Sequence, residues 1–257
     1  MPRLLHTDWP DRLWIVRHGQ SAGNVARDLA EEGGLELIDL TTRDADTPLS
    51  ELGREQSRAL GDWFAAMGQD ERPCVLMSSP FERSRQTCAA VARALGIDPS
   101  EVHLDERLRE KEFGVLDRYT RHGIMAKIPE LAEQRKLVGK FYFRPPGGES
   151  WCDVILRLRS VIDTITREYR GERVLIMGHQ VIVSCFRYLL ERLDEHQILA
   201  IDRAEDVPNC SVTSYEYNPA RGKHGKLVPR LVSFVAPLVE AGAPVTQEPD
   251  VQAAPKA

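Results

Sequence analysis

Three short apolar runs constrain this chain more than anything else in it. Leu13-Trp14-Ile15-Val16, Cys74-Val75-Leu76-Met77 and Val174-Leu175-Ile176-Met177 are continuous hydrophobic stretches. They end at Arg17-His18-Gly19, Ser78-Ser79-Pro80 and Gly178-His179. A strand with one wet face alternates apolar and polar residues, whereas a strand covered on both faces is apolar throughout. A helical pattern follows each run. Leu52, Leu60, Trp63, Phe64 and Met67 share one stripe after Ser50. Val181, Ile182, Cys185, Phe186, Leu189, Leu190 and Leu193 form another after Gln180. Buried strands alternating with helices predict an α/β fold, a three-layer α/β/α sandwich around a mostly parallel sheet.

The segment Ser79-Pro80-Phe81-Glu82 carries helix-start chemistry, with Ser79 as N-cap, Pro80 at the first helical position and Glu82 closing a capping box. Arg83 then falls in the first helical turn. Ser211 to Tyr217 and Leu231 to Val235 read as further short strands. Residues 117–146 differ from the rest. Seven Lys or Arg side chains, Arg118, Arg121, Lys127, Arg135, Lys136, Lys140 and Arg144, stand against Asp117, Glu130 and Glu133, a local excess of 7 − 3 = +4. They read singly as a solvated helical excursion, and together as a basic lid over an anionic substrate. From Ala241 the chain lacks aromatics and periodicity, so 241–257 is expected to be a disordered tail and 1–240 a single catalytic domain.

The whole chain has 257 residues and a net charge of −5, so bulk charge gives no reason to expect nucleic acid as a partner. It has no apolar stretch long enough for a membrane span, and its first residues carry charges where a signal peptide is apolar. Cys74, Cys88, Cys152, Cys185 and Cys210 show no CxxC spacing. They read as small buried hydrophobes in a reducing, cytoplasmic setting. Oligomeric state stays open, with a homodimer among the alternatives.

Open α/β sheets bind ligands at the carboxyl ends of their strands. There the runs would gather His18, His179, Arg17 and Arg83. Two guanidinium forks suit a tetrahedral phosphoryl group, and a histidine can attack phosphorus. Such a site also needs an acid for the leaving oxygen. On composition alone Glu110 and Glu112 compete for that role.

These residues lie in a wider pattern. Arg17-His18-Gly19-Gln20-Ser21-Ala22-Gly23-Asn24 resembles the RHG signature of the histidine phosphatase, or phosphoglycerate mutase-like, superfamily. The likeness continues through Pro48 to Gln56, Ser78 to Arg83, Glu110 to Gly114, Gly147 to Ser150 and Gly178-His179, in that order. The resemblance implies a phosphoglycerate mutase-like fold and a metal-independent phosphatase acting on a small phosphorylated substrate without a cofactor. It implies His18 as the nucleophile that becomes a phosphohistidine, and Glu110 as general acid and base. Arg17, Arg83 and His179 would hold the phosphoryl oxygens, with Ser21 and Asn24 lining the phosphate pocket. The logic requires His18 to be neutral at its attacking nitrogen, with a backbone carbonyl accepting from the other ring N–H to fix the tautomer.

Two positions depart from the pattern. Val115-Leu116-Asp117-Arg118 stands where many members have an acidic residue followed by glycine. Gln180 follows His179 where glycine is common. His179-Gln180, and Gly148-Glu149-Ser150 followed by Arg157, resemble the bisphosphatase domain of the bifunctional fructose-bisphosphate enzyme. Three readings follow: a phosphomonoester hydrolase, a phosphoglycerate mutase, or an inactive relative that binds phosphate or protein. The excursion lacks the Arg-Arg pair of the mutase subgroup, which favours hydrolysis, and the complete set of catalytic groups disfavours inactivity. The remaining histidines, His6, His103, His122, His196 and His224, are expected to be exposed or structural. Asp39, Asp44 and Asp46 are expected to form a solvated acidic loop.

Overall fold

The computed structural model describes residues 8–247. The strands predicted from the apolar runs are β1 (Arg12–Arg17), β2 (Val75–Ser78) and β4 (Arg173–Gly178), with a two-residue edge strand β3 (His103–Leu104). Two further strands, β5 (Val212–Asn218) and β6 (Lys226–Phe234), complete a six-stranded sheet in the order β3-β2-β4-β1-β5-β6. The first four strands are parallel; β5 runs antiparallel to β1, and β6, antiparallel to β5, points the same way as the first four.

The continuous runs are apolar because both faces of these strands are covered. Leu13 and Ile15 of β1 and Val174 and Ile176 of β4 enter one core, with Val154, Leu158 and Val161 of α6 (Trp151–Glu168) and Ile182 and Phe186 of α7 (Gln180–Glu191). The alternate residues Trp14, Val16, Leu175 and Met177 enter the other, against Leu60 and Phe64 of α2 (Glu51–Ala65) and Cys88 and Val91 of α3 (Glu82–Leu95). Each buried aliphatic side chain contributes about 1.5–3 kcal/mol through its removal from water, so the two helical layers clamp the sheet.

The excursion is a helical hairpin, α4 (Arg121–Lys127) followed by α5 (Pro129–Val138), with a small core of its own built on Leu116, Ile124, Ala132 and Phe143. It leans on the segment after α1 (Ala22–Glu32): Thr120 N–H donates to the Glu36 carbonyl, and the Cβ of any residue replacing Gly123 would lie 1.9 Å from that oxygen. Only Gly lets the hairpin approach so closely.

Two expectations about local structure are corrected. Helix α3 begins at Glu82 with Phe81 as its N-cap, because Ser79 Oγ is engaged by His179 and by Phe81 N–H instead of capping the helix. The start of the expected tail is ordered. Ala243 packs on the α2 side, and Gln56 Nε2 donates to Pro244 O and Thr246 Oγ1, both at 2.9 Å. Asn209 N–H donates to Thr246 O at 2.8 Å. Gln56 and Asn209 are fully buried, and buried amides require partners. Residues 248–257 and His6 lie outside the described residues. The other four unassigned histidines are exposed. Cys88, Cys185 and Cys210 are buried as expected, but Cys74 is exposed at the entry to β2. Among the described residues no helix is long and apolar enough to cross a membrane.

Candidate active site

Strand order brings the two histidines together. Strands β1 and β4 are direct neighbours with Arg17 opposite Gly178, so His18 and His179 leave adjacent strand ends. His18 N–H donates to the Gly178 carbonyl at 3.0 Å, and the two imidazole centroids lie 5.0 Å apart. Strand β2 adjoins β4 on the other side, so its exit delivers Ser79 to His179 and α3 delivers Arg83 to His18.

The loop after β1 is held from several directions. Asn209 Nδ2 donates to the His18 carbonyl, and Gly19 N–H donates to Thr87 Oγ1. A Cβ at Gly53 would meet Gln20 O at 1.9 Å, so the first turn of α2 presses directly on the loop. Ser21 caps α1: its Oγ accepts from Asn24 N–H at 3.1 Å, and Asn24 Oδ1 accepts from Ser21 N–H at 2.9 Å.

The partners of His18 assign its tautomer. Nδ1 lies 2.7 Å from the Gly19 carbonyl, which can only accept. Nε2 lies 3.2 Å from Arg83 Nε, which can only donate. The proton is therefore on Nδ1, and Nε2 presents its lone pair, as the sequence logic required. Burial, then the Arg83 and Arg17 charges, push the imidazole well below its ordinary pKa, against a smaller opposing pull from the Gly19 carbonyl. His179 is lowered well below its ordinary value too, by burial, then Arg83 and His18. Both rings are neutral. His179 Nε2 is 2.8 Å from Ser79 Oγ, while its buried Nδ1 has no hydrogen-bond partner among the described residues.

Every residue expected at the phosphate site except His179 lines one cleft: Arg17, His18, Ser21, Asn24, Arg83 and Glu110. His179 is fully buried beneath it. Geometry also separates the two glutamates. Glu110 lines the cleft and accepts from Lys111 N–H, whereas Glu112 is exposed and pairs with Arg109.

The cleft also holds residues that sequence reasoning missed. Asp44, expected in a solvated loop, pairs with the Arg83 guanidinium at 3.0 Å, because that buried cation needs a counter-charge. Gln180, Arg27 and Thr42 complete its walls. The basic excursion contributes less than expected. Lys140 bonds Asp202 and lies over Trp151, Lys136 pairs with Glu133, and Arg144 is held by Asp153. Of its seven basic residues only Arg118 lines the cleft. Among the described residues no group of three or more His, Cys, Asp or Glu side chains is arranged to hold a metal ion.

The model of the histidine phosphatase superfamily (branch 1) matches residues 13–227. The chain belongs to that superfamily. It is 32% identical over 199 residues to a 2,3-bisphosphoglycerate-dependent phosphoglycerate mutase of Rhizobium meliloti, covering 76% of this chain and 87% of the relative. It is 27% identical over 206 residues to a probable phosphoglycerate mutase, GpmB, of Photorhabdus laumondii, covering 80% and 85%. Among solved structures it resembles a mycobacterial glucosyl-3-phosphoglycerate phosphatase complexed with VO3, at TM-score 0.68 and 23% identity over 88% of this chain and 100% of the other. It also resembles Bacillus stearothermophilus YhfR, at TM-score 0.69 and 23% identity over 88% and 98%. These structures share the phosphoglycerate mutase-like fold, an α/β sandwich, with this member of the superfamily.

Proposed function

We propose that this histidine phosphatase superfamily member hydrolyses phosphomonoesters through a phosphohistidine on His18. The observation that carries the reading is the state of His18: buried, neutral, protonated on Nδ1 and bearing its lone pair on Nε2 beside the Arg83 guanidinium. In the first step Nε2 attacks phosphorus while the ester P–O bond breaks, and Glu110 gives its proton to the departing alkoxide. In the second, water attacks the phosphohistidine, Glu110 takes the water proton, and His18 leaves with its lone pair restored. Phosphate and free enzyme result.

The charge that spreads over the equatorial oxygens meets donors already in place. Arg17 and Arg83 supply guanidinium N–H groups. Ser79 accepts from Phe81 N–H and can give its own proton to His179 Nε2, leaving an N–H on the unpartnered Nδ1 for a phosphoryl oxygen. Helix α7 starts at Gln180 without a side-chain cap, so its first N–H groups and dipole favour an anion in the cleft that Gln180 lines.

The names of the curated relatives support a second reading, phosphoglycerate mutase. A mutase must retain a bisphosphorylated intermediate and exclude water. Hydrolysis is favoured because the excursion has no Arg-Arg pair and its Arg144 is tied to Asp153. The test measures phosphate release from p-nitrophenyl phosphate in the presence of a chelator, with mutase activity on 3-phosphoglycerate followed in parallel. Turnover is expected in the wild type and its loss in His18→Ala. Unchanged turnover in that variant overturns the mechanism, and interconversion of phosphoglycerates faster than phosphate release selects the mutase.

A further inference from the structure

Arg83 is a buried cation of the phosphoryl site, and all three of its guanidinium nitrogens are engaged. Nε donates to His18 Nε2 at 3.2 Å, so the guanidinium caps the lone pair that must attack phosphorus. Nη1 donates to the Asp44 carbonyl at 2.6 Å and lies 3.0 Å from Asp44 Oδ1, while Nη2 donates to Asp44 Oδ2 at 3.1 Å. One residue thus takes both ends of the fork, in the bidentate arrangement by which arginine also grips a phosphoryl group. The two partners differ in their freedom. The Arg83 side chain is 7% exposed and that of Asp44 48%. Asp44 opens a single 3-10 turn, Asp44–Asp46, that has no buried residue. The turn is anchored at its ends, where buried Thr47 donates to the Arg43 carbonyl and Arg118 donates to the Thr42 carbonyl. None of its residues enters either main core, so Asp44 can swing away from Arg83 without disturbing the packing of the sheet.

Resting on the phosphomonoesterase reading of the same cleft, we infer that Asp44 is a displaceable counter-ion that competes with the scissile phosphate for Arg83 and so sets the affinity of the site for phosphate groups. A phosphoryl group in line with His18 Nε2 needs the Nη donors that Asp44 holds, and two anions facing one buried guanidinium repel each other. The exchange keeps Arg83 paired throughout, because the carboxylate leaves for water as the phosphate arrives and returns as the phosphate leaves. It also discriminates. A dianionic phosphate carries enough charge to displace a bidentate carboxylate, whereas a monoanionic carboxylate ligand gains nothing over the one already there. After hydrolysis Asp44 retakes the fork, which limits retention of inorganic phosphate. Asp44 acts through Arg83 and not on the reacting atoms, so it is a positioning residue.

The experiment uses inorganic phosphate as the probe. Its affinity for the full chain is measured by calorimetry in the wild type, Asp44→Asn and Asp44→Ala, with KM and kcat for p-nitrophenyl phosphate in parallel. Both variants are expected to bind phosphate about ten-fold more tightly, the equivalent of one charge-assisted contact no longer contested. KM should fall with it, and kcat should stay level or fall as product is held longer. Asp46→Asn removes the same charge from the same turn, but Asp46 pairs with exposed Arg43, so phosphate affinity there should stay within about two-fold of wild type. Unchanged or weaker phosphate binding in both Asp44 variants overturns the exchange, weaker binding marking Asp44 as a fixed support of Arg83. Equal tightening in Asp46→Asn also overturns it, in favour of a general field effect. Thermal melts keep the test open if a variant is unstable. Asp44→Asn should melt below the wild type, because Arg83 loses its counter-charge, and saturating phosphate should close most of that gap; a gap that phosphate leaves unchanged counts against the exchange. Because affinity is read without turnover, a protein that shows the tightening yet releases phosphate from no ester would refute the hydrolase reading and leave the exchange standing.

Discussion

Glu149 is the residue whose replacement reports most directly on how the proposed acid is held. Its carboxylate accepts from Arg157 Nε at 2.9 Å and Nη2 at 3.0 Å, from Arg109 Nη2 at 3.0 Å and from Glu112 N–H at 3.1 Å. Arg157 in turn donates to the carbonyls of Arg107 and Glu110. Glu149 and Arg157 are thus the clamp that fixes residues 107–112, and with them Glu110. Their side chains are 13% and 11% exposed, so this is an ion pair largely removed from water. Breaking such a pair costs about 3–5 kcal/mol, because the remaining charge stays buried without its partner. Glu149→Ala should therefore lower the urea midpoint at constant m, by an amount equivalent to about 3–5 kcal/mol. Glu149→Gln keeps the shape and should cost less, about 1.5–3 kcal/mol for one charge-assisted contact.

Catalysis gives the second readout. An alkyl phosphate needs its leaving oxygen protonated far more than p-nitrophenyl phosphate does. A displaced Glu110 should therefore depress kcat for the alkyl substrate several-fold more than for the aryl one. Loss of less than about 1 kcal/mol in Glu149→Ala, a value typical of exposed pairs, would refute the clamp. Equal losses on both substrates would refute its action through Glu110. The pH sign follows from the same bonds. Burial alone would raise the Glu149 carboxyl, but the Arg157 hydrogen bonds and charge, the Glu112 N–H and Arg109 outweigh it and hold it below the ordinary 4.5. Its contribution is complete above that value and is lost as pH falls through the depressed one.

Three further outcomes are expected. Ending the chain after Gly242 should leave buried donors and acceptors of Gln56 and Asn209 without partners, at about 1–3 kcal/mol for each unsatisfied group, and a thermal melt would show the loss. Because His18 and His179 are both held well below the ordinary 6.5, kcat/KM should show no acid limb there, and native stability should decline as pH falls below 6.5, where the unfolded chain takes up protons the folded one refuses; a limb at 6.5 would contradict their neutrality. Neutralising Arg135 and Lys136 together should change KM for an anionic substrate less than two-fold, since neither lines the cleft, and a larger rise would restore the basic-lid reading.

Much of this protein could be read along the chain. Strand–helix alternation, the loop from Arg17 to Asn24 and the start of α7 at Gln180 are local, because burial on both faces and helix periodicity leave their marks within a few neighbouring residues. The choice of Glu110 over Glu112 was not local. Two glutamates separated by one residue differ only in which is turned toward the cleft, and the clamp from α6 decides that. The charge of residues 117–146 was, for a related reason, a poor guide to which of them line the cleft. A local excess of positive charge says nothing about the counter-charges, and Asp202 and Asp153 come from other helices.

The sequence by itself determined the sheet's parallel core and the identities of His18, His179, Arg17 and Arg83, because strand-end chemistry is written in contiguous residues. Only the tertiary structure decided their partners. Asp44 reaches Arg83 and Asn209 reaches the His18 carbonyl across 39 and 191 residues, respectively. Those contacts depend on β1 lying between β4 and β5, an order set by packing two helical layers against one sheet, which no local pattern encodes.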